Sequence, residues 1–282
     1  MHISSLIDMG RYPLDCPNSP SYIRMLEDVR SQLAQDGCAV LKGFVHDKGV
    51  RILAEEGDKV SDRAHRSFSR TNPYFTKDDP KLPSTHPIRQ FYDRSNGFIP
   101  ADNFGKKSPL RSVYEWEHFM PFVRDALEEP EERFYRYDDP LADVIINMVE
   151  EGQGFPWHYD TNNFTVTLAI QNADSGGEFE YVPNLRTQND ECFGDVERVL
   201  HGDRERVVQL VLEPGDLQIF KGRYSLHKVN PVHGEKRRYV GIFSFVEREG
   251  MCGGVERTKQ LYGRVLPHHY EREGNRDDHL ID

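Results

Sequence analysis

Residues 156–167 read PWHYDTNNFTVT. Behind the turn EGQG at 151–154, a histidine and a carboxylate stand two residues apart, and the chain then runs into the β-branched stretch FTVT. Successive strand side chains point to opposite faces, so His158 and Asp160 project together while Tyr159 projects away. Such a pair is either a chance surface pair or part of a chelate, and the surrounding sequence has to separate the two.

The surroundings are β-rich. Short runs of strand type recur at ADVIINMV (142–149), FTVTLAIQ (164–171), GEFEYVP (177–183), RVVQLVL (206–212), DLQIF (216–220) and RYVGIFSFV (238–246),. Between them, ADSGG, EPGD and PVHGEK supply the Gly, Asp and Pro that turns require,. This spacing predicts an all-β sandwich or jelly roll from about residue 139 to 250. Upstream, SYIRMLEDVRSQLA (21–34) carries Ile23, Leu26, Val29 and Leu33 at helical intervals, DGCAVLKGFV follows as a short strand, and a second helix is expected from Lys48 to Val60,. Residues 70–109, rich in Pro, Asn, Ser and aromatics with little period, read as an irregular lid,. The expected organisation is one domain of mixed α+β class over 1–282: a helical, mixed part with the lid over 1–138, a jelly-roll core over 139–250 and a tail over 251–282.

Composition excludes several function classes. The 282-residue chain has a formal net charge of -11, which argues against a phosphate backbone as partner,. No apolar run approaches membrane-spanning length and the first residues lack signal-peptide order, so the expected setting is soluble and cytoplasmic, with no membrane partner,. Charge says nothing of symmetry and leaves a homo-oligomer open. Cys16, Cys38, Cys192 and Cys252 are scattered, without the spacing of a zinc knuckle or a disulfide framework,.

A second histidine gives the HxD pair its meaning. In PGDLQIFKGRYSLHKVNPV (214–232) a tight turn leads into a strand, and His227 opens the next extended run. Two imidazoles and one carboxylate suit a facial triad on non-haem Fe(II), and they also serve catalytic zinc. Ten and eleven residues beyond His227 lie Arg237 and Arg238, whose planar fork matches a carboxylate,. Alternation sends them to opposite faces; Arg238 shares its face with Val240, Ile242 and Ser244 and is the favoured inward residue. His268 and His269 are expected to stand apart from the site.

WHYD, GGEFEYVPN, PGDLQIFKGRYSLHKVNPV and RRYVGIFSF, in that order, resemble the Fe(II)- and 2-oxoglutarate-dependent dioxygenase superfamily, and within it the halogenases and hydroxylases of free amino acids. The resemblance implies a double-stranded β-helix with Fe(II) held by His158, Asp160 and His227. It also implies 2-oxoglutarate as cosubstrate with its distal carboxylate on Arg238 and Asn147 nearby, and O2 as oxidant. Halogenating members carry a small residue where this chain has Asp160, so the carboxylate implies hydroxylation coupled to release of succinate. A small free amino acid, basic ones such as lysine first, is the implied substrate; a peptide hydroxylase or a jelly-roll metal protein without oxygenase chemistry are the alternatives. For substrate contact the candidates are Trp157, Thr161, Asn162, Arg70 and Tyr262. Arg89 and Arg94 are further candidates to clamp a carboxylate, and Asn163 is a candidate to support the ligands.

Overall fold

The computed structural model describes residues 2–162, 164–271 and 280. Ser19 starts the first helix, its Oγ accepting from Tyr22 N at 3.2 Å, and Pro20 occupies the first turn, where no N–H is needed,. Gly37 ends that helix in the left-handed region at φ 62°, with its N–H on Leu33 O,. In chain order the helices are α1 (Pro20–Asp36), α2 (Asp47–Val60), α3 (Pro109–Glu115), α4 (Phe119–Leu127), α5 (Phe193–Leu200), α6 (Val255–Tyr262) and α7 (Pro267–Glu271).

The strands are β1 (Cys38–Leu41), β2 (His65–Thr71), β3 (Tyr92–Ile99), β4 (Tyr135–Arg136), β5 (Val144–Val149), β6 (Phe155–His158), β7 (Phe164–Gln171), β8 (Ser175–Gly176), β9 (Phe179–Val182), β10 (Val208–Leu210), β11 (Leu217–Phe220), β12 (Leu226–Val229), β13 (Val232–His233) and β14 (Arg238–Val246). A large sheet runs β1-β11-β7-β14-β5-β3-β2, with β4 added to the end of β14. A smaller sheet runs β10-β9-β12-β6, and β13 pairs with β8. The strand pairs are antiparallel, as expected of a jelly roll,.

Strict alternation gives the large sheet two different faces. Tyr239, Phe243 and Phe245 of β14, Val166 and Leu168 of β7, Leu217 and Ile219 of β11, and Val144, Ile146 and Met148 of β5 enter one apolar core with α1, α2, α3 and α4. Their neighbours Arg238, Val240, Ile242, Ser244, Thr165, Thr167, Gln218 and Asn147 face the other way, into a cavity closed by the small sheet,. Helices on one face thus leave the other free to be polar.

Two segments differ from the sequence expectation. Within the lid region, YDRSNGFI forms β3, paired to β2 over Tyr92–Phe98 and to β5 over Gly97–Ile99. Asp, Ser, Asn and Gly are weak strand formers, and pairing on both sides overrides them. Within the all-β half, α5 packs Val196 and Val199 against Tyr74, Val182 and Leu185. Cys38 is buried and accepts from Gln218 Nε2 at 3.3 Å.

Phe243 is fully buried, stacked on Tyr114 at 5.9 Å and edge-on to Phe119 at 5.2 Å. Phe243→Ala is expected to destabilise the fold by about 3–5 kcal/mol, because the cavity cannot collapse between a sheet and a helix pair. Urea unfolding measures it; a loss below about 1 kcal/mol would place Phe243 outside the core.

Candidate active site

The two histidines meet because β6 and β12 pair with His158 directly opposite His227. Their ring centroids are 4.1 Å apart. Asp160 lies just beyond the end of β6, where its N–H donates to Gly222 O at 3.1 Å. Its Oδ1 is 3.4 Å from His227 Nε2 and 3.9 Å from His158 Nε2, and the ligand atoms of the three residues lie within 4.8 Å of one another.

Each imidazole is oriented by the backbone. His158 Nδ1 donates to Pro156 O at 2.8 Å and His227 Nδ1 donates to Ser225 O at 2.9 Å. A carbonyl only accepts, so both rings carry a proton on Nδ1 and turn Nε2, the atom whose lone pair would bind a metal, toward Asp160. Burial holds His158 well below the usual imidazole range, which keeps that lone pair available,. Burial would raise the Asp160 carboxyl, but His227, His158 and a 2.7 Å hydrogen bond from Thr165 Oγ1 outweigh it and hold the group below its ordinary value. Gly222 lies against the carboxylate so closely that a Cβ there would overlap it. Two imidazoles and one carboxylate, each with its other atoms engaged, fit a divalent metal.

The triad opens into a cavity of about 210 Å³ between the sheets. At one side Arg238 is buried, and burial alone lowers its guanidinium to about 10, with no carboxylate offsetting it. Asn147, Thr167 and Gln218 line the same cavity; Thr167 Oγ1 donates to Gln218 Oε1 at 2.9 Å. Arg237 points outward, to Glu150 at 3.1 Å and Ser61 Oγ at 3.0 Å.

Among the other expected residues, Thr161, Asn162 and Tyr262 line the cavity. Trp157 alternates away from His158 and packs on the cluster of Tyr74, Tyr159 and Val182, with Lys228 Nζ 5.2 Å from its ring centroid. Arg70 is exposed on β2, and Arg89 pairs with Asp78 at 3.0 Å. Arg94 is the arginine of this group that the cavity receives, from β3. Asn163 lies outside the described residues. His269 is buried and donates from Nε2 to Asp139 Oδ1 at 3.1 Å, away from the triad.

Sequence reading passed over Thr165, Gly222, Phe75 and Arg257. Thr165 had a signal, since it shares the inward face of β7 with Thr167. Phe75 sits in the left-handed region at φ 56°, with its ring 5.7 Å from that of His158, and nothing in NPYFTK announces it. Arg257 arrives on α6, beyond the motif-bearing strands.

This fold, with its His-Asp-His triad and buried arginine, defines a non-haem iron oxygenase that uses 2-oxoglutarate. The sequence model of the family described as Halogenase D matches residues 23–262, and the chain belongs to that family. No curated protein matches it. Among solved structures, it is similar to the non-haem α-ketoglutarate-dependent epimerase SnoN from nogalamycin biosynthesis, at 13% identity and a TM-score of 0.53 over 80% of this chain and 82% of that one. AviO1 from Streptomyces viridochromogenes Tue57 is similar at 14% identity and a TM-score of 0.53, over 78% and 94%. A prolyl-4-hydroxylase from Pseudomonas putida shares 14% identity at a TM-score of 0.50, over 79% and 100%. At these identities the likeness is one of fold. Among the described residues no helix is long and apolar enough to cross a membrane.

Gly222→Ala is expected to leave the fold intact and weaken Fe(II) binding by about 10–100-fold, because the added methyl displaces Asp160,. Anaerobic equilibrium dialysis measures it, with His227→Ala as the reference that abolishes binding; undiminished affinity in the glycine variant would show that Asp160 is not held by Gly222.

Proposed function

We propose that the protein hydroxylates an unactivated carbon of a small free carboxylic acid of amino-acid size, coupled to decarboxylation of 2-oxoglutarate to succinate. The observation that carries this reading is the intact carboxylate at Asp160 beside two oriented imidazoles. His158, Asp160 and His227 would hold Fe(II), which supplies oxygen activation when 2-oxoglutarate and O2 are present. The Asp160 carboxylate would occupy the metal position that a halide needs, which favours hydroxyl transfer over halogenation in a family described as a halogenase.

The chain's own groups divide the remaining work. Arg238 offers two parallel N–H donors to the distal carboxylate of 2-oxoglutarate, and ionic pairing there would satisfy a buried cation that no carboxylate among the described residues offsets,. Gln218, Thr167 and Asn147 add neutral donors and acceptors to the same cavity wall that would help fix the cosubstrate's orientation,. Phe75, Phe98, Phe155, Phe179, Phe220 and Ile242 supply apolar walls that exclude water from the reacting centre,. A cavity of this size, roofed in part by Leu261 and Tyr262 of α6, supports a small substrate over a folded-peptide groove,.

Under anaerobic purification and Fe(II) loading, substrate-dependent succinate release across a panel of amino and dicarboxylic acids tests the reaction; its absence with every acid, in a folded and iron-loaded protein, would defeat the reading. Arg238→Ala is expected to raise the 2-oxoglutarate requirement at least ten-fold with iron binding unchanged, whereas Arg237→Ala leaves both near wild type. The opposite pattern, read in 2-oxoglutarate titrations, would assign the outward arginine to the cosubstrate.

A further inference from the structure

Two arginines of the cavity wall, Arg94 and Arg257, are left unused by the metal and cosubstrate roles proposed above. Arg94 on β3 is 1% exposed, and its Nε, Nη1 and Nη2 all lack a hydrogen-bond partner. The groups that could relieve it do not: the cross-strand Ser69 hydroxyl and the Asn96 amide on the same face of β3 are themselves without partners. Arg257 on α6 donates from Nη1 to Gln260 Oε1 at 2.7 Å, a neutral acceptor, and its Nε has none. Both guanidinia flank the ring of Phe75, Arg94 at 5.7 Å and Arg257 at 4.0 Å from its centroid. Arg94 also lies 3.9 Å over Phe155, whose ring stacks 3.9 Å from His158. The two cations therefore stand one aromatic ring from the triad.

Like charges held together in a dry space call for counter-charge. Among the described residues that line the cavity, the carboxylates are Asp160 and Asp139. Asp160 belongs to the triad. Asp139 accepts from Leu141 N at 2.8 Å, Gly253 N at 2.9 Å and His269 Nε2 at 3.1 Å, which ties the start of the β-core to the C-terminal helices. With the site filled, a metal dication, the Asp160 carboxylate, the Arg238 guanidinium and a 2-oxoglutarate dianion cancel. Arg94 and Arg257 are then left as two cations without anions, and a lysine substrate would add a further ammonium with no free carboxylate to receive it.

We infer that Arg94 and Arg257 form a two-arginine receptor beside the metal centre, and that the substrate is a small acid bearing two carboxylates rather than a basic amino acid. The inference rests on the hydroxylase reading above and narrows its substrate class. The paired guanidinia bind the acid, and the Phe75 and Phe155 rings between them and the triad set how far its carbon chain reaches toward the metal. Both arginines act as binding residues.

The test is calorimetric titration of the full-length protein, anaerobic and saturated with Fe(II) and 2-oxoglutarate so that Arg238 is already occupied. The probes are L-aspartate, L-glutamate, glutarate and adipate, with L-lysine and L-leucine as cationic and neutral comparisons. At least one of the four acids is expected to bind ten-fold or more tightly than either comparison, and Arg94→Met and Arg257→Met are each expected to weaken that acid at least ten-fold. Affinity for 2-oxoglutarate should be unchanged in both variants. Because methionine removes an unpaired buried cation while keeping the bulk, the unliganded Arg94→Met protein is expected to melt no lower than wild type. Tighter binding of lysine or leucine than of every acid, acid binding indifferent to both substitutions, or a collapse of the Arg94→Met melting temperature would each overturn the assignment. Binding of 2-oxoglutarate through Arg238 is read in the same titrations, so failure of the acid receptor is distinguishable from failure of the oxygenase reading.

Discussion

The site depends on the register between β6 and β12. With His158 opposite His227, two imidazoles leave adjacent antiparallel strands on the same face, at the spacing of a cross-strand pair,. Each ring is then aimed by a carbonyl two residues earlier in the chain, so register and ring orientation come from the same local backbone. Asp160 has no strand to hold it. Its position comes from the Gly222 carbonyl, the missing side chain at Gly222 and the hydroxyl of Thr165 at the start of β7. A one-residue slip of β12 would send His227 into the opposite layer and bring Leu226 or Lys228 to the metal side, because side-chain facing has period two.

The large sheet supports that register through the same alternation. Its outer residues are locked by α1 to α4, leaving its inner face to carry Arg238, Asn147, Thr167 and Gln218 without loss of core. A buried polar face is unfavourable when empty and favourable when a matching ligand fills it, so ligand binding and fold stability are linked in this molecule. Three arginines on the cavity wall, Arg94, Arg238 and Arg257, make the link strongest for anions.

Much of this was legible in the order of residues. Period two in RYVGIFSFV separated Arg238 from Arg237, and the PGD turn followed by GRYSLH located the third ligand, since both rest on local backbone geometry. The wall that carries Arg94 and Arg257 was less legible. Arg94 was one of three candidate arginines, but it sits in YDRSNGFI, whose Asp, Ser, Asn and Gly conceal a strand paired to β2 and β5. Arg257 reaches the cavity because Asp139 anchors the segment before α6, a contact spanning more than a hundred positions of sequence. Trp157 shows the reverse error: its neighbour His158 is in the site, and alternation alone turns it out.

On the hydroxylase reading, Asp160 places a carboxylate where the resemblance drawn from the sequence implies a small residue in halogenating members. Halide and carboxylate bear the same charge, so exchanging one for the other leaves the electrostatic balance of the cavity unaltered. What differs is attachment. The carboxylate is tethered through Asp160 Cα and packed on Gly222, whereas a free halide would need a pocket of donors around that corner, and Thr165 Oγ1 is the donor this chain places there. One hydroxyl orients a tethered carboxylate well and confines a free ion poorly. On that reading, the residues that position Asp160 bear on the choice between hydroxyl and halide transfer as much as Asp160 itself.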